Sequence, residues 1–145
     1  MAQISHKSWL KVTAVVIASF GPVFFLSTMI DTAGPSRITL DILSWPLPTL
    51  HSFEAQTTRF LSALTGGFLF GWGIMVWALS GDAYDAAPEA VRKAVLTGTL
   101  AWFCLDSAGS VASGTWPNVF FNIAILLIGV GPMWRPEATL EEQEA

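Results

Sequence analysis

Asp106 is an acidic residue well inside a long apolar stretch, which makes it the first candidate for chemistry in this chain. A charged Asp near the centre of a bilayer costs at least about 2.5–3.5 kcal/mol, so it must be paired, protonated or hydrated. Counting about 1.5 Å per residue from the middle of each apolar stretch places Thr65 and Asn122 at nearly the depth of Asp106. Pro22 is close to the same depth and leaves the Ala18 carbonyl oxygen without its helical donor. We predict that these four positions form a polar layer, with Arg59 and Ser110 as further candidate members.

The role of this polar layer is open between two alternatives. An intramembrane carboxylate is by default a functional group, here part of a binding or transport site. The layer can equally be structural and pin neighbouring helices together through hydrogen bonds. Whether Arg59 pairs with Asp106 is also open, because helix geometry puts Arg59 about 10 Å nearer the outer surface and its side chain leans outward.

Small residues at regular spacing predict where the helices pack. Ala63, Gly67 and Gly71 recur every four residues, with Ser62, Gly66 and Gly73 beside them, and Gly109 belongs to a similar stripe on the next apolar stretch. Lipid tails are as apolar as Leu, so membrane helices associate through close packing, which small residues permit. We therefore predict helix contacts at these four positions.

The other reactive side chains do not form a catalytic constellation. His6 and His51 fall on opposite sides of the predicted membrane, and Cys104 lies among apolar residues without a His near it in sequence. A Gly-rich phosphate loop, a zinc-protease motif and a serine-nucleophile motif are all missing from the sequence. We therefore expect no enzyme, no metal site and no cofactor. The net charge of -4 argues against a nucleic-acid partner.

The composition is that of a membrane protein. Hydrophobic residues make up 52% of the chain, charged residues only 12%, and the mean hydropathy is +0.54. A soluble domain carries about 25% charged residues, and a spanning helix needs about 20 mostly apolar ones. Four stretches qualify as spans: residues 9–30, 59–79, 92–112 and 117–134. We predict an all-α integral membrane four-helix bundle, with residues 1–136 as a single four-span domain.

The connections and the tail complete this prediction. Gly34-Pro35 and the prolines at 46 and 48 exclude one continuous helix between the first two spans. The apolar residues there predict a short interfacial helix in the first outer loop, and whether residues 36–48 re-enter the membrane instead is open. Residues 137–145 carry four Glu and are expected to form an acidic mobile tail.

The distribution of basic residues orients the bundle, because cytoplasmic loops carry the excess of Lys and Arg. Five basic residues fall on one side and two on the other: Lys7, Lys11, Arg92, Lys93 and Arg135 against Arg37 and Arg59. We therefore expect both the N-terminus and the C-terminus in the cytoplasm.

Two passages carry a resemblance. Residues 58–73 contain TRFLSALTGG followed by GWG, and residues 85–110 contain DAAPEAVR followed by LDSAGS. They resemble a group of short bacterial four-span membrane proteins of unassigned function, over most of residues 25–136. The resemblance implies a bacterial inner (cytoplasmic) membrane and carries over no functional residue.

Two functions are expected from these observations. The first is a non-catalytic accessory or interaction subunit of a membrane assembly, as a homo-oligomer or as part of a larger complex in the lipid bilayer. The alternative is a small binding or transport module with an outer-side cavity around Asp106. An apolar ligand in that cavity would be walled by tryptophans, namely Trp45, Trp72, Trp102 and Trp116.

Overall fold

The computed structural model describes residues 5–47 and 51–136, and this part of the chain is helical without a β-strand. Its five helices are α1 His6–Leu26, α2 Gly34–Ser44, α3 Gln56–Ala78, α4 Pro88–Ala112 and α5 Asn118–Val130. Single turns at Ile30–Thr32 and Tyr84–Ala86, a wide turn at Leu79–Ala83 and a tight turn at Gly131–Trp134 extend them. The predicted all-helical fold is confirmed. The predicted acidic tail lies outside the described residues.

Three of these helical segments are long and apolar enough to cross a membrane. They are α1 with 21 residues, the stretch Gln56–Ala86 with 31 residues, which is kinked at Gly81, and α4 with 25 residues. The fourth apolar segment, Asn118–Trp134, is shorter. Among the described residues, length and composition therefore support three membrane spans.

Local sequence signals set the ends of several helices. Ser5 caps α1, since its Oγ accepts a hydrogen bond from the Ser8 backbone N–H at 3.3 Å. Pro88 begins α4, where a missing N–H costs nothing, and Glu89 follows in the first turn. Gly131 ends α5 with φ of 45°, a conformation that L side chains rarely adopt. An added Cβ there would also collide with the Trp9 indole.

α1 and α3 form the closest helix pair, and glycine makes their approach tight. A Cβ added to Gly73 would lie 2.6 Å from the Ala18 backbone nitrogen and 2.7 Å from the Ala14 carbonyl oxygen. A Cβ on Gly66 would lie 2.8 Å from the Gly21 carbonyl oxygen. The two helices therefore run antiparallel with their backbones almost in contact.

This contact lies on a different face of α3 from the predicted one. Gly67, Gly71 and Gly109 have open space where a Cβ would stand, and Ala63 is only half-buried. Each residue turns the helix by about 100°, so the neighbouring stripe of Ser62, Gly66 and Gly73 faces α1 instead. Four-residue spacing alone does not separate the two stripes.

The second helix pair is α4 with α5, and α1 joins it to the first pair. The Arg92 guanidinium donates to the Met133 carbonyl oxygen at 2.7 Å, which ties the start of α4 to the end of α5. From α1, the Thr13 hydroxyl donates to the Gly129 carbonyl oxygen at 2.9 Å and the Trp9 indole to the Ile128 carbonyl oxygen at 2.8 Å. Successive long helices thus run antiparallel.

Gly73→Ala is expected to destabilise the protein, because the new methyl group meets the α1 backbone and both helices must move apart. Overpacking of this kind costs about 1–3 kcal/mol. The measurement is the free energy of unfolding in detergent. Gly71→Ala is the matched control: it adds the same group two residues away in open space and should leave stability unchanged or slightly raised. Equal losses for the two variants would contradict the packing described.

Candidate functional site

The Asp106 carboxylate is held by two amide side chains from α5. Its Oδ2 accepts hydrogen bonds from Asn122 Nδ2 at 2.7 Å and from Asn118 Nδ2 at 3.0 Å. Residues four apart lie on the same face of a helix, so both amides point at α4 together. One carboxylate oxygen thus receives two donors from the neighbouring helix.

Two hydroxyl groups of α4 complete this arrangement. Asn118 Nδ2 also donates to Ser110 Oγ at 2.9 Å, and Asn122 Nδ2 to Ser107 Oγ at 3.1 Å. We call these five residues, Asp106, Ser107, Ser110, Asn118 and Asn122, the α4–α5 polar cluster. Each amide bridges to two α4 side chains, so the cluster fixes both the register and the separation of the two helices.

The predicted polar layer is brought together only in part. Asn122 and Ser110 belong to the α4–α5 polar cluster. Thr65 lies across a cavity from it, with its hydroxyl donating to the Leu61 carbonyl oxygen of its own helix at 2.9 Å. Arg59 is directed elsewhere: its Nη1 donates to the backbone carbonyl oxygens of Phe53 and Glu54. This follows from the lean of helical side chains toward the helix N-terminus.

Asn118 and Ser107 were not singled out in the sequence, although a signal for Asn118 is present. Asn118 and Asn122 stand four residues apart, as do Asp106 and Ser110. Two polar pairs with the same spacing on consecutive apolar helices predict facing polar surfaces. Asn118 is the first residue of α5, and polar residues are common at the start of a helix, so its type alone does not indicate a site. Nothing distinguishes Ser107 from the other serines nearby.

A cavity of about 210 Å³ lies in the middle of the bundle, beside the cluster. All four long helices and Leu43 of α2 contribute to its wall. Its lining is mainly apolar, with examples from each long helix in Ile17, Phe20, Leu69, Trp72, Trp102 and Ile125. Polar groups converge at one part of the wall, where Asp106, Asn118 and Asn122 border the same space. This combination of apolar walls and a few converging polar groups is characteristic of ligand sites.

The cavity exists because α3 and α4 hardly touch. The indole rings of Trp72 on α3 and Trp102 on α4 have their centroids 6.2 Å apart and are tilted by 52°. Few other parts of the two helices come close to each other. On the far side of Trp102 and Asp106 lies a shallow surface hollow that also borders Leu105, Gly109, Ser110 and Ser113. Trp102 and Asp106 therefore separate the cavity from the outside of α4.

The two other tryptophans expected at a ligand, Trp45 and Trp116, do not border the cavity and are 71% and 47% exposed.

Three acceptor oxygens of the α4–α5 polar cluster receive no hydrogen bond from residues 5–47 and 51–136. One is Asp106 Oδ1, since both amides donate to Oδ2. The others are Asn118 Oδ1, which is buried, and Asn122 Oδ1. Turning the Asn118 amide over would not help, because its oxygen would then face the Asp106 carboxylate and both amide bonds would be lost. The amide donors of the cluster are thus all in use, whereas the Ser107 and Ser110 hydroxyls accept from the amides and donate to no described residue.

No Lys or Arg in the described part of the chain forms an ion pair with Asp106. Lys7 pairs with Asp85 at 2.6 Å, and Arg92 and Lys93 pair with Glu89, at the far end of α4. Arg37 lies over the Phe53 ring and Lys11 over the Trp77 ring. Among the described residues, the Asp106 carboxyl group is therefore held by neutral side chains.

The remaining reactive side chains are scattered. His6 is buried near the start of α1, whereas His51 Nε2 lies 3.0 Å from Ser44 Oγ and 3.9 Å from Asp41, near the end of α2. Cys104 is exposed on α4. Within the described residues, His, Cys, Asp and Glu form no group of three able to hold a metal ion.

The chain matches no protein-family model, no curated protein and no solved structure.

Asn122→Ala is expected to lower the free energy of unfolding by about 1–2 kcal/mol, because it removes the 2.7 Å bond to Asp106 and the bond to Ser107. Thermal or denaturant unfolding in detergent measures this loss. Thr65→Val serves as the control: it keeps the shape of a cavity-lining residue and removes a bond made only within α3, so its loss should be smaller. If Thr65→Val costs as much as Asn122→Ala, the cluster does not hold α4 to α5.

Proposed function

We propose that this protein is a membrane-embedded binding protein for a small, largely apolar molecule, which occupies the central cavity. The observation that carries the proposal is the 210 Å³ space with mainly apolar walls and a polar end at Asp106, Asn118 and Asn122. A cavity of about 150 Å³ is enough to hold benzene. The ligand would accordingly have a body of about one aromatic ring with a short polar extension.

The proposal places the cavity within a four-span bundle. α5 and the tight turn after it, Asn118–Trp134, run antiparallel to α4 from the polar cluster to the bond between Arg92 and Met133. At about 1.5 Å per residue in the helix and about 2 Å in the turn, this segment is close to 27 Å long, near the thickness of a hydrocarbon core. It then forms the fourth span, with both chain ends on the side that gathers Lys7, Arg92 and Lys93.

α2 has a supporting position in this arrangement. Ser36 Oγ donates to the Val23 carbonyl oxygen at 2.6 Å, which holds the helix against the end of α1. Ile38, Ile42 and Trp45 are exposed together on one face, as expected for a helix that lies at a membrane interface with its apolar side in lipid. Leu43 closes the outer end of the cavity. The membrane of a bacterial cell, as the sequence resemblance implies, is the proposed location.

Ile125→Phe is expected to weaken ligand binding at least tenfold, because the larger side chain takes up cavity space. The probes are fluorobenzylamine and fluorobenzyl alcohol, which share one ring-sized body, and binding is followed by fluorine NMR with the protein in zwitterionic nanodiscs. The proposal expects saturable binding of at least one probe beyond its partition into empty nanodiscs.

Ile123→Phe is the matched control for this experiment. It introduces the same residue on the same helix, but Ile123 is 40% exposed and does not border the cavity, so binding should be retained. Absence of saturable binding for both probes, or equal weakening by the two substitutions, would overturn the proposed function.

A second candidate function, a self-associating accessory subunit, is favoured by the outer face of α4. This helix has the smallest buried share of the three long spans, 11%. Its exposed residues include a run of small side chains at three- and four-residue spacing: Ala90, Ala94, Thr97, Ala101, Cys104, Ala108 and Ala112. Such a face allows the backbone of a second copy of α4 to approach closely.

Disulfide cross-linking through Cys104, the single cysteine of the chain, tests this candidate. In a two-fold symmetric pair with parallel α4 helices, the two Cys104 side chains meet, and mild oxidation of native membranes should give a covalent dimer. Cys104→Ser should give none. A Leu105→Cys variant in the Cys104→Ser background moves the thiol by about 100° around the helix and should cross-link less. Absence of a dimer with Cys104 would contradict association through this face.

A further inference from the structure

We infer that the ligand of the central cavity is a primary ammonium cation attached to a compact apolar body, with its charged group bound by Asp106. This inference rests on the proposed function and adds the chemical class of the ligand. It comes from the unused groups of the α4–α5 polar cluster and from the aromatic side chains around the same space.

The first observation is the imbalance between donors and acceptors at the polar end. Asp106 Oδ1, Asn122 Oδ1 and the buried Asn118 Oδ1 accept nothing from the described residues. A buried acceptor without a donor costs about 1–3 kcal/mol, more for a charged group. Within the cluster, a ligand carboxylate or phosphate could receive hydrogen bonds only from the Ser107 and Ser110 hydroxyls, and it would face the Asp106 carboxylate directly. A group with several N–H donors supplies Asp106 Oδ1 with the hydrogen bond that it lacks.

The second observation is the missing counter-ion. Throughout residues 5–47 and 51–136, each Lys and Arg that makes an ion pair makes it with Asp85 or Glu89 rather than with Asp106. Both amide donors are directed at Oδ2, which leaves Oδ1 as the oxygen of Asp106 that has no donor among the described residues. An ammonium group supplies both the opposite charge and three N–H donors. It would therefore supply Asp106 Oδ1 with both a donor and the opposite charge.

The third observation is the composition of the wall next to Asp106. Trp72 and Trp102 border the cavity with their rings 6.2 Å apart, and Phe20 and Phe24 line it from α1. An aromatic ring attracts a cation over its face, most strongly for Trp, and the attraction grows where water is excluded. The same rings offer apolar contact to the body of the ligand. A neutral alcohol would gain the apolar contact but neither the charge pairing nor the attraction to the rings.

The test compares two probes that share a body and differ in the polar group. Fluorobenzylamine is an ammonium cation at neutral pH, as alkylamines such as Lys are, and fluorobenzyl alcohol is neutral. With the unaltered protein in zwitterionic nanodiscs, the ammonium probe should bind at least tenfold more tightly than the alcohol by fluorine NMR titration. Each titration is corrected for partition into empty nanodiscs.

Asp106→Asn should remove most of this preference and bring the two affinities within about threefold, while the alcohol affinity stays nearly constant. The new side chain keeps an oxygen that can accept from Asn118 and Asn122, so the hydrogen bonds that hold α5 against α4 can still form. Since the comparison of the two probes in the unaltered protein needs no substitution, the inference remains testable if the variant does not fold.

Three results would overturn the inference, and they separate it from the proposed function. Equal or tighter binding of the alcohol would overturn the ligand class while the binding function stands. An ammonium preference that survives in folded Asp106→Asn would remove Asp106 as the group that binds the cation. Failure of both probes to saturate would overturn the binding function and the inference with it.

Discussion

The bundle depends on how one carboxylate is satisfied within an apolar environment. Asp106 is half-buried, and none of the described Lys and Arg residues forms an ion pair with it. The two asparagines of α5 supply its donors instead. Because the alternative is an unsatisfied charged or polar group in hydrocarbon, α5 must lie with one particular face against α4. The position of the shortest apolar helix is thereby fixed by polar contacts, where apolar side chains alone would leave it free to rotate.

The cavity follows from a contrast between the two helix pairs. Gly21, Gly66 and Gly73 bring α1 and α3 almost into backbone contact, whereas Trp72 and Trp102 hold α3 and α4 apart. α1 completes the bundle on the opposite side through its bonds to the carbonyl groups of Ile128 and Gly129. The tight contact between α1 and α3 and the wide one between α3 and α4 leave a partly open space between the helices. Glycines and tryptophans at these positions thus shape the site without taking part in polar contacts there.

Sequence reasoning recovered the helical fold, because hydropathy is a local property of the chain. The cost of a buried charge is also local, and it singled out Asp106 as the residue to explain. Sequence reasoning also placed Asn122 and Ser110 near Asp106, since residues can be counted along straight helices. It could not choose between adjacent stripes of α3: Gly67 and Gly66 differ by one position, and only the partner helix decides which faces inward. The direction of Arg59 was likewise open, because nearby backbone carbonyl groups compete with a distant carboxylate. Contacts between helices that are far apart in sequence account for most of what was missed.

The loose seam between α3 and α4 has a mechanical consequence. The two helix pairs are joined along α1 and α5, so in cross-section the molecule is a ring closed on one side by hydrogen bonds and on the other mainly by two indole rings. Separating those rings breaks few contacts between α3 and α4 and enlarges the space inside. The cavity volume is therefore least constrained at this seam, and a change in that volume begins there and not on the side closed by hydrogen bonds.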